Sequence, residues 1–171
     1  MIASFSSNTR KSCTYHLIKD FQENWRKVSL RLGELKASGY TRIGAAIRHS
    51  LFKLKKIKTK RKIIILFSDG KPTDYDAYEG EYGIADVRQC VREGKVQGVD
   101  IISIAIDKEA KFYFPKLFGA QNYEVIDRPE EIVEKLIKRE TELKILKKVG
   151  ITEAATWGSW AASATSYIPG M

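Results

Sequence analysis

Runs of apolar residues alternate with polar stretches along this 171-residue chain, and the clearest run is residues 63–67. It is uninterrupted and rich in β-branched side chains, a composition typical of a strand buried on both faces of a parallel sheet. The run stops at Ser68, and Pro72 cannot donate to a sheet ladder. We therefore expect a central strand whose carboxyl end lies where open α/β sheets bind their ligands.

The amino-terminal half of the chain predicts a hairpin and two helices. Residues 2–6 and 12–17 are typical of short strands joined by a polar turn. Apolar residues then recur at intervals of three and four, which predicts one helix with its apolar face on the core: Phe21, Trp25, Val28, Leu32 and Leu35. A second amphipathic helix is predicted from Ile43 to Leu54.

The carboxyl-terminal half continues the alternation. Its pattern predicts a helix over 84–97, strands over 99–106 and 123–126, an aromatic connector over 112–119 and a last helix from 129 to about 146. Together these elements predict a three-layer α/β fold with a Rossmann-like, mostly parallel sheet and an antiparallel edge hairpin. Residues 1–149 are predicted as one domain, and 150–171 as a flexible tail of small and polar residues.

The net charge of +9 raises the hypothesis of a basic nucleic-acid-binding protein. Much of the excess lies in residues 53–62, where apolar residues at helical spacing indicate the solvated end of an amphipathic helix. No aromatic side chains are interleaved there to stack on bases. A solvated face or a docking surface for an acidic protein is therefore favoured, and nucleic acid stays an alternative.

Several features of the chain predict a cytoplasmic protein. No apolar run approaches the roughly 20 residues that span a bilayer, and the amino terminus does not have the pattern of a secretory signal. Cys13 and Cys90 lie far apart and form no metal-ligand pattern, so two reduced structural thiols are expected.

Three loops with oxygen-bearing side chains can converge at the carboxyl ends of the strands, and they contain Thr41, Asp69 and Asp107. Mg²⁺ and Ca²⁺ prefer oxygen ligands, so a hydroxyl and a carboxylate suit a partial, open site. Each residue also has a purely structural interpretation. Thr41 can cap the following helix, Asp69 can form a turn, and Asp107 can end its strand in a cap or turn.

Longer motifs around these residues resemble a known family. Residues 39–49, Gly-Tyr-Thr-Arg-Ile-Gly-Ala-Ala-Ile-Arg-His, resemble the second metal-site loop and helix of von Willebrand factor type A domains. Residues 66–72, Leu-Phe-Ser-Asp-Gly-Lys-Pro, resemble their third loop. Residues 73–88 and 3–25 are similar to the branch of NorD and CbbO, the nitric oxide reductase activation protein family, and the resemblance extends over residues 2–148.

The resemblance implies a metal-ion-dependent adhesion site, in which one Mg²⁺ leaves a coordination position for a carboxylate of a partner protein. Thr41 and Asp69 match its loop-two and loop-three ligands, and Mn²⁺ or Ca²⁺ can substitute for Mg²⁺. The family's Asp-x-Ser-x-Ser motif is missing, because Ile2 stands where its aspartate would be. Residues 2–6 therefore match the family's second strand, and we expect an amino-terminally truncated domain without the central first strand.

A missing central strand affects both the sheet and the metal. Unpaired strand edges expose backbone donors and acceptors. Either the flanking strands close up or another chain supplies the strand, which would give a homo-oligomer through strand sharing. An incomplete oxygen shell binds Mg²⁺ poorly, so we expect a weak, partial site.

The resemblance implies a non-enzymatic protein-interaction module that assists a MoxR-type AAA+ ATPase in activating or maturing a client metalloenzyme such as nitric oxide reductase. The loop acids Asp74, Asp76 and Glu79 are candidates for docking a basic partner. A Mg²⁺-dependent hydrolase using Asp69 is the alternative enzyme. It would need a paired carboxylate, and Phe67 occupies the most obvious position for one.

Overall fold

The structure, a computed structural model, describes residues 1–28, 30–68, 71–128, 130–132 and 134–138. The chain divides into two units, Met1–Val125 and Ile126–Met171, and the elements named here belong to the first unit. In chain order they are β1 (Ile2–Thr9), β2 (Ser12–Lys19), α1 (Trp25–Val28), α2 (Leu30–Gly33), α3 (Ile43–Lys55), β3 (Lys62–Ser68), α4 (Gly80–Val96), β4 (Val99–Ala105), α5 (Ala110–Phe118) and β5 (Tyr123–Val125).

A parallel sheet with the strand order β3-β4-β5 forms the centre of the first unit. β3 and β4 pair in register from Lys62↔Val99 to Ser68↔Ala105. Helices α4 and α5 connect its successive strands, which confirms the α/β fold and the mostly parallel sheet. The prediction that β3 is the central, doubly covered strand is wrong, because β4 has that place and β3 pairs on one side only among the described residues.

The hairpin of β1 and β2 forms a two-stranded antiparallel sheet of its own. The antiparallel hairpin itself is confirmed, and both of its strands are longer than predicted. Within the part of the chain that the structure describes, neither of its strands pairs with the parallel sheet. β1 and β3 instead face each other across an open cleft, which two cavities occupy.

The hydrophobic core packs the helices against β3 and β4. Each helix contributes residues at intervals of three and four, as an amphipathic helix does. The buried members are Ile43, Ile47, Leu51 and Leu54 from α3, Val87 and Cys90 from α4, and Ala110, Tyr113, Phe114, Leu117 and Phe118 from α5. The predicted helix from Ile43 to Leu54 is thereby confirmed, together with the face that it buries.

The long helix predicted over the stripe from Phe21 to Leu35 is wrong. The structure has two four-residue helices there, α1 and α2, and Phe21, Trp25 and Leu35 are all more than 40% exposed. Side chains before α1 bond the backbone locally: Asp20 Oδ1 accepts from the Phe21 amide at 2.7 Å, and Asn24 Oδ1 from the Arg26 amide at 2.9 Å. Such bonds compete with helical ones, so helix formation starts at Trp25 and the stripe is not buried as a unit.

The aromatic connector predicted over 112–119 is a helix, α5, although it contains Pro115. Burial of its aromatic face outweighs the hydrogen bond that proline removes. Helix α4 also begins at Gly80, four residues before the predicted start. Its predicted stop is confirmed, because Gly98 takes a positive φ of 69° immediately before β4.

In the second unit, residues 131–132 and 134–138 are helical, as predicted for the start of the last helix. Arg128 Nε donates to Glu131 Oε1 at 3.3 Å on its first turn. The remainder of that predicted helix and the predicted tail at 150–171 lie outside the described residues. Of the helices that the structure describes, none has the length and apolar character needed to cross a membrane.

Candidate metal and partner site

A cavity of about 700 Å³ lies at the carboxyl end of β3. Its wall brings together the hydroxyl side chains of Ser4 and Ser6 on β1, Thr41 before α3, and Ser68 at the end of β3. The predicted convergence of the Thr41 loop with the end of β3 is therefore observed. Asp69, the second predicted metal ligand, directly follows Ser68 in the chain and lies outside the described residues.

Backbone bridges hold the Thr41 loop between its two neighbours. Ser7 and Tyr40 exchange amide bonds of 3.0 and 2.6 Å, and Thr41 and Thr73 exchange bonds of 2.9 and 3.2 Å. Gly39 makes the first bridge sterically feasible, because a Cβ there would lie 2.6 Å from the Ser7 carbonyl oxygen and its φ is +67°. Thr41 is thus fixed by main-chain contacts, which leave its side chain to line the cavity.

Arg42 fastens the loop after β3 to the start of α3. Its Nε donates to Asp74 Oδ2 at 2.8 Å, its Nη2 donates to Asp76 Oδ1, and its guanidinium lies 4.2 Å from the centre of the Tyr78 ring. Both the Arg42 and the Asp74 side chains are buried. The structure thereby assigns Arg42 a central role that its sequence pattern did not reveal, because its partner Asp74 lies 32 residues further along the chain.

Opposing effects set the ionisation of this buried pair. Burial acts to raise the pKa of the Asp74 carboxyl, but hydrogen bonds from Arg42 and Ser7 and from the Tyr75 amide outweigh it, so the pKa lies below its ordinary value. Burial acts to lower the pKa of Arg42, and the two aspartates reverse that effect and raise it. The pair therefore stays charged at neutral pH, as a buried and hydrogen-bonded ion pair must.

The three acids predicted to dock a basic partner have different surroundings. The Asp74 side chain is fully buried against Arg42, so it is not exposed to a partner. Asp76 is partly exposed, and its second oxygen accepts from the Arg10 amide at 2.8 Å. Glu79 is exposed and precedes α4 without a side-chain cap bond. Partner binding through these residues stays a prediction, with Glu79 the most accessible of them.

The structural alternatives for the other candidates have clear outcomes. Arg42, not Thr41, is the residue at the amino cap of α3, so the interpretation of Thr41 as the helix cap is wrong. Asp107 forms a turn, as expected, with its Oδ1 accepting from the Glu109 amide at 2.9 Å.

Both cysteines are free thiols, Cys13 exposed and Cys90 buried. Burial raises the pKa of Cys90 to about 12, which keeps it a neutral core residue.

A second polar cluster, which the sequence did not indicate, joins α3 to α4. Tyr78 donates to Asp86 Oδ2 at 2.5 Å and accepts from the Gly44 amide at 3.2 Å, while Arg48 donates to Asp86 Oδ1 at 2.7 Å. Burial and the Asp86 carboxylate raise the pKa of Tyr78, so it stays protonated and able to donate. A Cβ on Gly44 would lie 1.9 Å from Asp86 Oδ2, so this packing requires glycine.

The side-chain oxygen atoms around the cavity are of the type that a hard cation prefers, and most of them are neutral. Ser4, Ser6, Thr41 and Ser68 offer neutral hydroxyl groups, which Mg²⁺ and Ca²⁺ accept as ligands. Among the described residues, no three His, Cys, Asp or Glu side chains lie close enough together to hold a metal. Glu34 also lines the cavity, and Asp69, which follows Ser68 in the chain, is the carboxylate that the family resemblance assigns to such a site.

Comparison with known families matches residues 1–127 to the von Willebrand factor type A domain. The chain belongs to this family. Among curated proteins, an uncharacterised protein of Pseudomonas aeruginosa is 43% identical over 135 residues, 78% of this chain and 22% of that protein. Protein NorD of Stutzerimonas stutzeri is 41% identical over 128 residues, and Protein NorD of Brucella abortus is 37% identical over 126 residues.

These matches confirm the resemblance to the NorD branch of type A domains. The two NorD matches cover 74% and 73% of this chain but only 21% and 20% of the NorD proteins themselves. The chain thus spans about a fifth of the length of the curated relatives it matches. The residues matched to the family, 1–127, contain the Thr41 loop, the Arg42 pair and β3, which help to form the cavity.

Proposed function

We propose that this type A domain is a non-catalytic protein-interaction module that assists a MoxR-type AAA+ ATPase in activating a metalloenzyme such as nitric oxide reductase. The observation that carries the proposal is family membership together with relatives named NorD. Energy for remodelling the client would come from the ATPase. This chain would contribute a rigid docking face built on the loop before α3, which contains Thr41, and the loop after β3.

The docking face would include a weak divalent cation site. Thr41 and Asp69 would hold Mg²⁺, with Mn²⁺ or Ca²⁺ as substitutes, and the ion would leave a position open for an acidic residue of the partner. The hydroxyl-lined cavity supports this arrangement, because it places Thr41 beside Ser68 and β1. The bonds from Thr41 to Thr73 and from Arg42 to Asp74 support it further, since they fix the loop before a ligand arrives.

The cation site can be tested by calorimetric titration with Mn²⁺ and Mg²⁺. We expect saturable, weak binding that Asp69→Ala abolishes and Thr41→Val reduces several-fold, because each change removes one oxygen ligand. Asp107→Ala is the matched control, since it deletes the carboxylate that follows the neighbouring strand β4 and should leave binding unchanged. Equal loss in all three variants, or no binding by the folded wild type, would remove the cation from the proposal.

The interaction itself can be tested apart from the metal. The chain, carrying an affinity tag, is mixed with the purified MoxR-type ATPase of its own organism, with Mg²⁺ or with EDTA. We expect complex formation that Mg²⁺ strengthens and Glu79→Lys weakens, because Glu79 is the exposed acid of the loop. A complex of the same strength in EDTA would support a metal-free module. No complex under either condition would contradict the proposed partner.

A further inference from the structure

Positive charge is concentrated at the carboxyl-terminal end of α3 and in the loop that leads to β3. Seven of the ten residues from Lys53 to Lys62 are lysine or arginine, and we refer to this stretch as the basic segment. The sequence has no Asp or Glu between Glu34 and Asp69, so no acid lies near the segment along the chain. Four of its lysines are exposed: Lys55, Lys56, Lys58 and Lys60.

Most of this charge is not neutralised within the molecule. Arg61 is the exception, since its Nε donates to Asp100 Oδ2 at 3.4 Å. In the part of the chain that the structure describes, none of the six lysines of the basic segment forms an ion pair. Cations stabilise the carboxyl end of a helix, which accounts for the lysines in the last turn of α3. That effect falls off beyond the last turn, so it gives no structural role to Lys58 and Lys60.

An exposed aromatic row lies beside the basic segment on the outer face of α3. The ring centres of Tyr15 and His49 are 4.4 Å apart, and those of His49 and Phe52 are 6.2 Å apart. Phe52 is 54% exposed, and Lys56 Nζ lies 5.2 Å from the centre of its ring. This face is opposite the buried stripe of the helix. The surface therefore combines an apolar side chain with positive charge that has no acidic partner.

Hydrogen bonds hold the backbone of the basic segment in place. The Ile57 amide donates to the Leu54 carbonyl oxygen at 3.1 Å, which continues the turn of α3 into the loop. Thr59 Oγ1 donates to the Arg61 carbonyl oxygen at 2.9 Å. The contact from Arg61 to Asp100 joins the loop to β4. The lysine side chains thus extend from an ordered backbone, which lowers the entropy cost of binding a partner.

We propose that the basic segment and Phe52 form a docking surface for an acidic segment of a separate polypeptide that also contains leucine or phenylalanine. Its carboxylates pair with the exposed lysines, and its apolar side chain covers the Phe52 ring. Charge complementarity identifies this occupant. A second copy of this chain does not meet that condition, because its net charge of +9 repels the same surface.

Two other anionic partners fit the surface less well. A nucleic-acid base stacks on an open aromatic ring, and Lys56 already lies over the ring of Phe52. Membrane docking needs several apolar side chains that enter the lipid. Within the fully described range 43–62, Phe52 is the one large apolar residue that is exposed.

The docking surface is remote from the cavity around Thr41. Lys62 begins β3 and Ser68 ends it beside that cavity, so about 20 Å separate the two. The proposal therefore goes beyond the metal-assisted docking face and does not rest on it.

The probe is a blocked, fluorescently labelled peptide in which pairs of glutamates alternate with single leucines. The control peptide has glutamine in place of every glutamate, so it keeps the leucines and has no charge. Fluorescence anisotropy measures the Kd of each peptide for the full chain at several salt concentrations. A labelled single-stranded oligothymidine and vesicles that contain phosphatidylserine are measured in the same buffer.

We expect saturable binding of the glutamate peptide that weakens at least about tenfold as salt rises from about 0.05 to 0.5 M, because salt screens exposed charges. Lys58→Glu combined with Lys60→Glu should raise Kd about tenfold, since each change removes an ion pair and adds a repulsion. Both residues lie beyond α3, so the helix keeps its own lysines. The control is Lys111→Glu with Lys116→Glu, an equal change of net charge on exposed lysines of α5, which should leave Kd within about twofold.

The apolar contact has its own matched pair of variants. Phe52→Ala should raise Kd several-fold, because the leucines of the peptide lose the ring that they cover. Phe112→Ala is the control and should have no effect. Phe112 is also exposed, with Lys111 Nζ 5.2 Å from the centre of its ring, but it lies on α5.

Four results would overturn the proposal. Equal weakening in the α5 charge variant would mean attraction to the net charge and not to a defined surface. Equal binding of the glutamine peptide would remove the role of charge. Tighter binding of the oligothymidine or the vesicles, lost in the Lys58 and Lys60 variant, would make nucleic acid or a membrane the occupant. No saturable binding of the glutamate peptide at low salt would deny the surface altogether. None of these variants changes Thr41 or Asp69, so this test and the cation titration fail separately.

Discussion

β3 and β4 are neighbouring strands with similar sequences and opposite surroundings. Both contain a run of isoleucines, and they pair residue for residue in a parallel ladder. Ile65 of β3 lies opposite Ile102 of β4, yet Ile65 is 41% exposed and Ile102 is 6% exposed. Composition thus indicates the burial that a strand is suited to, and the neighbours on its two sides determine the burial that it obtains.

The difference has one physical source. β4 pairs with β3 along its whole length and with β5 over its last three residues, Ser103 to Ala105, and the helices pack on it as well. β3 has β4 on one side and a cleft on the other. An exposed, flat, apolar edge of this kind is usually avoided in stable folds, because it attracts other strands. The unequal burial of Ile65 and Ile102 thus follows from the unequal neighbours of their two strands.

The largest expected difference between β3 and β4 comes from placing a charge at each of the paired residues Ile65 and Ile102. Ile102→Asp should destabilise the fold by more than about 4 kcal/mol, because it buries an unpaired carboxylate. Ile65→Asp should cost about 1 kcal/mol or less, since its carboxylate can reach water in the cleft. Urea denaturation followed by circular dichroism measures both. Similar losses in the two variants would mean that β3 is already covered in solution.

The buried ion pair of Arg42 and Asp74 holds the loop after β3, and substitutions can measure how much the pair contributes to stability. Arg42→Met should cost about 3 kcal/mol, because it leaves the buried Asp74 carboxylate without its partner. The double variant Arg42→Met with Asp74→Leu should recover part of that loss, since no charge then remains buried. Chemical denaturation of the two variants and the wild type checks this. A double variant as unstable as the single one would assign the loss to packing alone.

The same pair predicts a dependence of stability on pH. The folded-state pKa of Asp74 is lowered from 3.8, so its contribution is complete above about pH 5 and is lost as pH falls through and below that ordinary value. Asp74→Asn should therefore be less stable than the wild type by about 1–2 kcal/mol at pH 7, with the gap closing toward pH 3. Denaturation midpoints at several pH values test the sign. A gap of the same size at pH 3 and at pH 7 would contradict this prediction.

The smallest effect concerns the connection that leads into β4. Gly98→Ala should cost about 1 kcal/mol, because the residue has a positive φ and nothing within 4 Å of its missing Cβ. Gly33→Ala is the matched control, since it also has open space around it and an ordinary backbone, and it should be neutral or slightly stabilising. Thermal unfolding resolves the difference. An equal change of Tm in both variants would show that the positive φ of Gly98 is not the cause of the loss.

The sequence was sufficient for the parts of the fold that depend on local pattern. The strands at residues 62–68 and 99–105, helix α3 and the stop at Gly98 each follow from periodicity or from a glycine, and each is confirmed. The stripe from Phe21 to Leu35 gave a wrong helix prediction. Its spacing is helical, but polar side chains near its start accept hydrogen bonds from nearby backbone amides. α5 was missed because Pro115 obscured a helical spacing of five buried residues.

The candidate site was predictable in its loops and not in its contacts. The Thr41 motif and the end of β3 were recognised, and the structure places them around one cavity. The Arg42 and Asp74 pair joins residues 32 positions apart, and the Tyr78 and Gly44 contact joins residues 34 apart. Such long-range pairs depend on how helices and loops are packed, which a single sequence does not encode in any local pattern.

The bridges around Thr41 also give the domain a mechanical path. The hairpin is hydrogen-bonded to Tyr40 through Ser7. Thr41 is hydrogen-bonded to Thr73, and Arg42 to Asp74 in the same loop. A pull on the hairpin would therefore reach the Thr41 loop through the Ser7 bonds, and it would pass to the loop after β3 through the Thr73 and Asp74 bonds together. A force that a partner applied to β1 would therefore act, through these bonds, on the loop that presents Thr41.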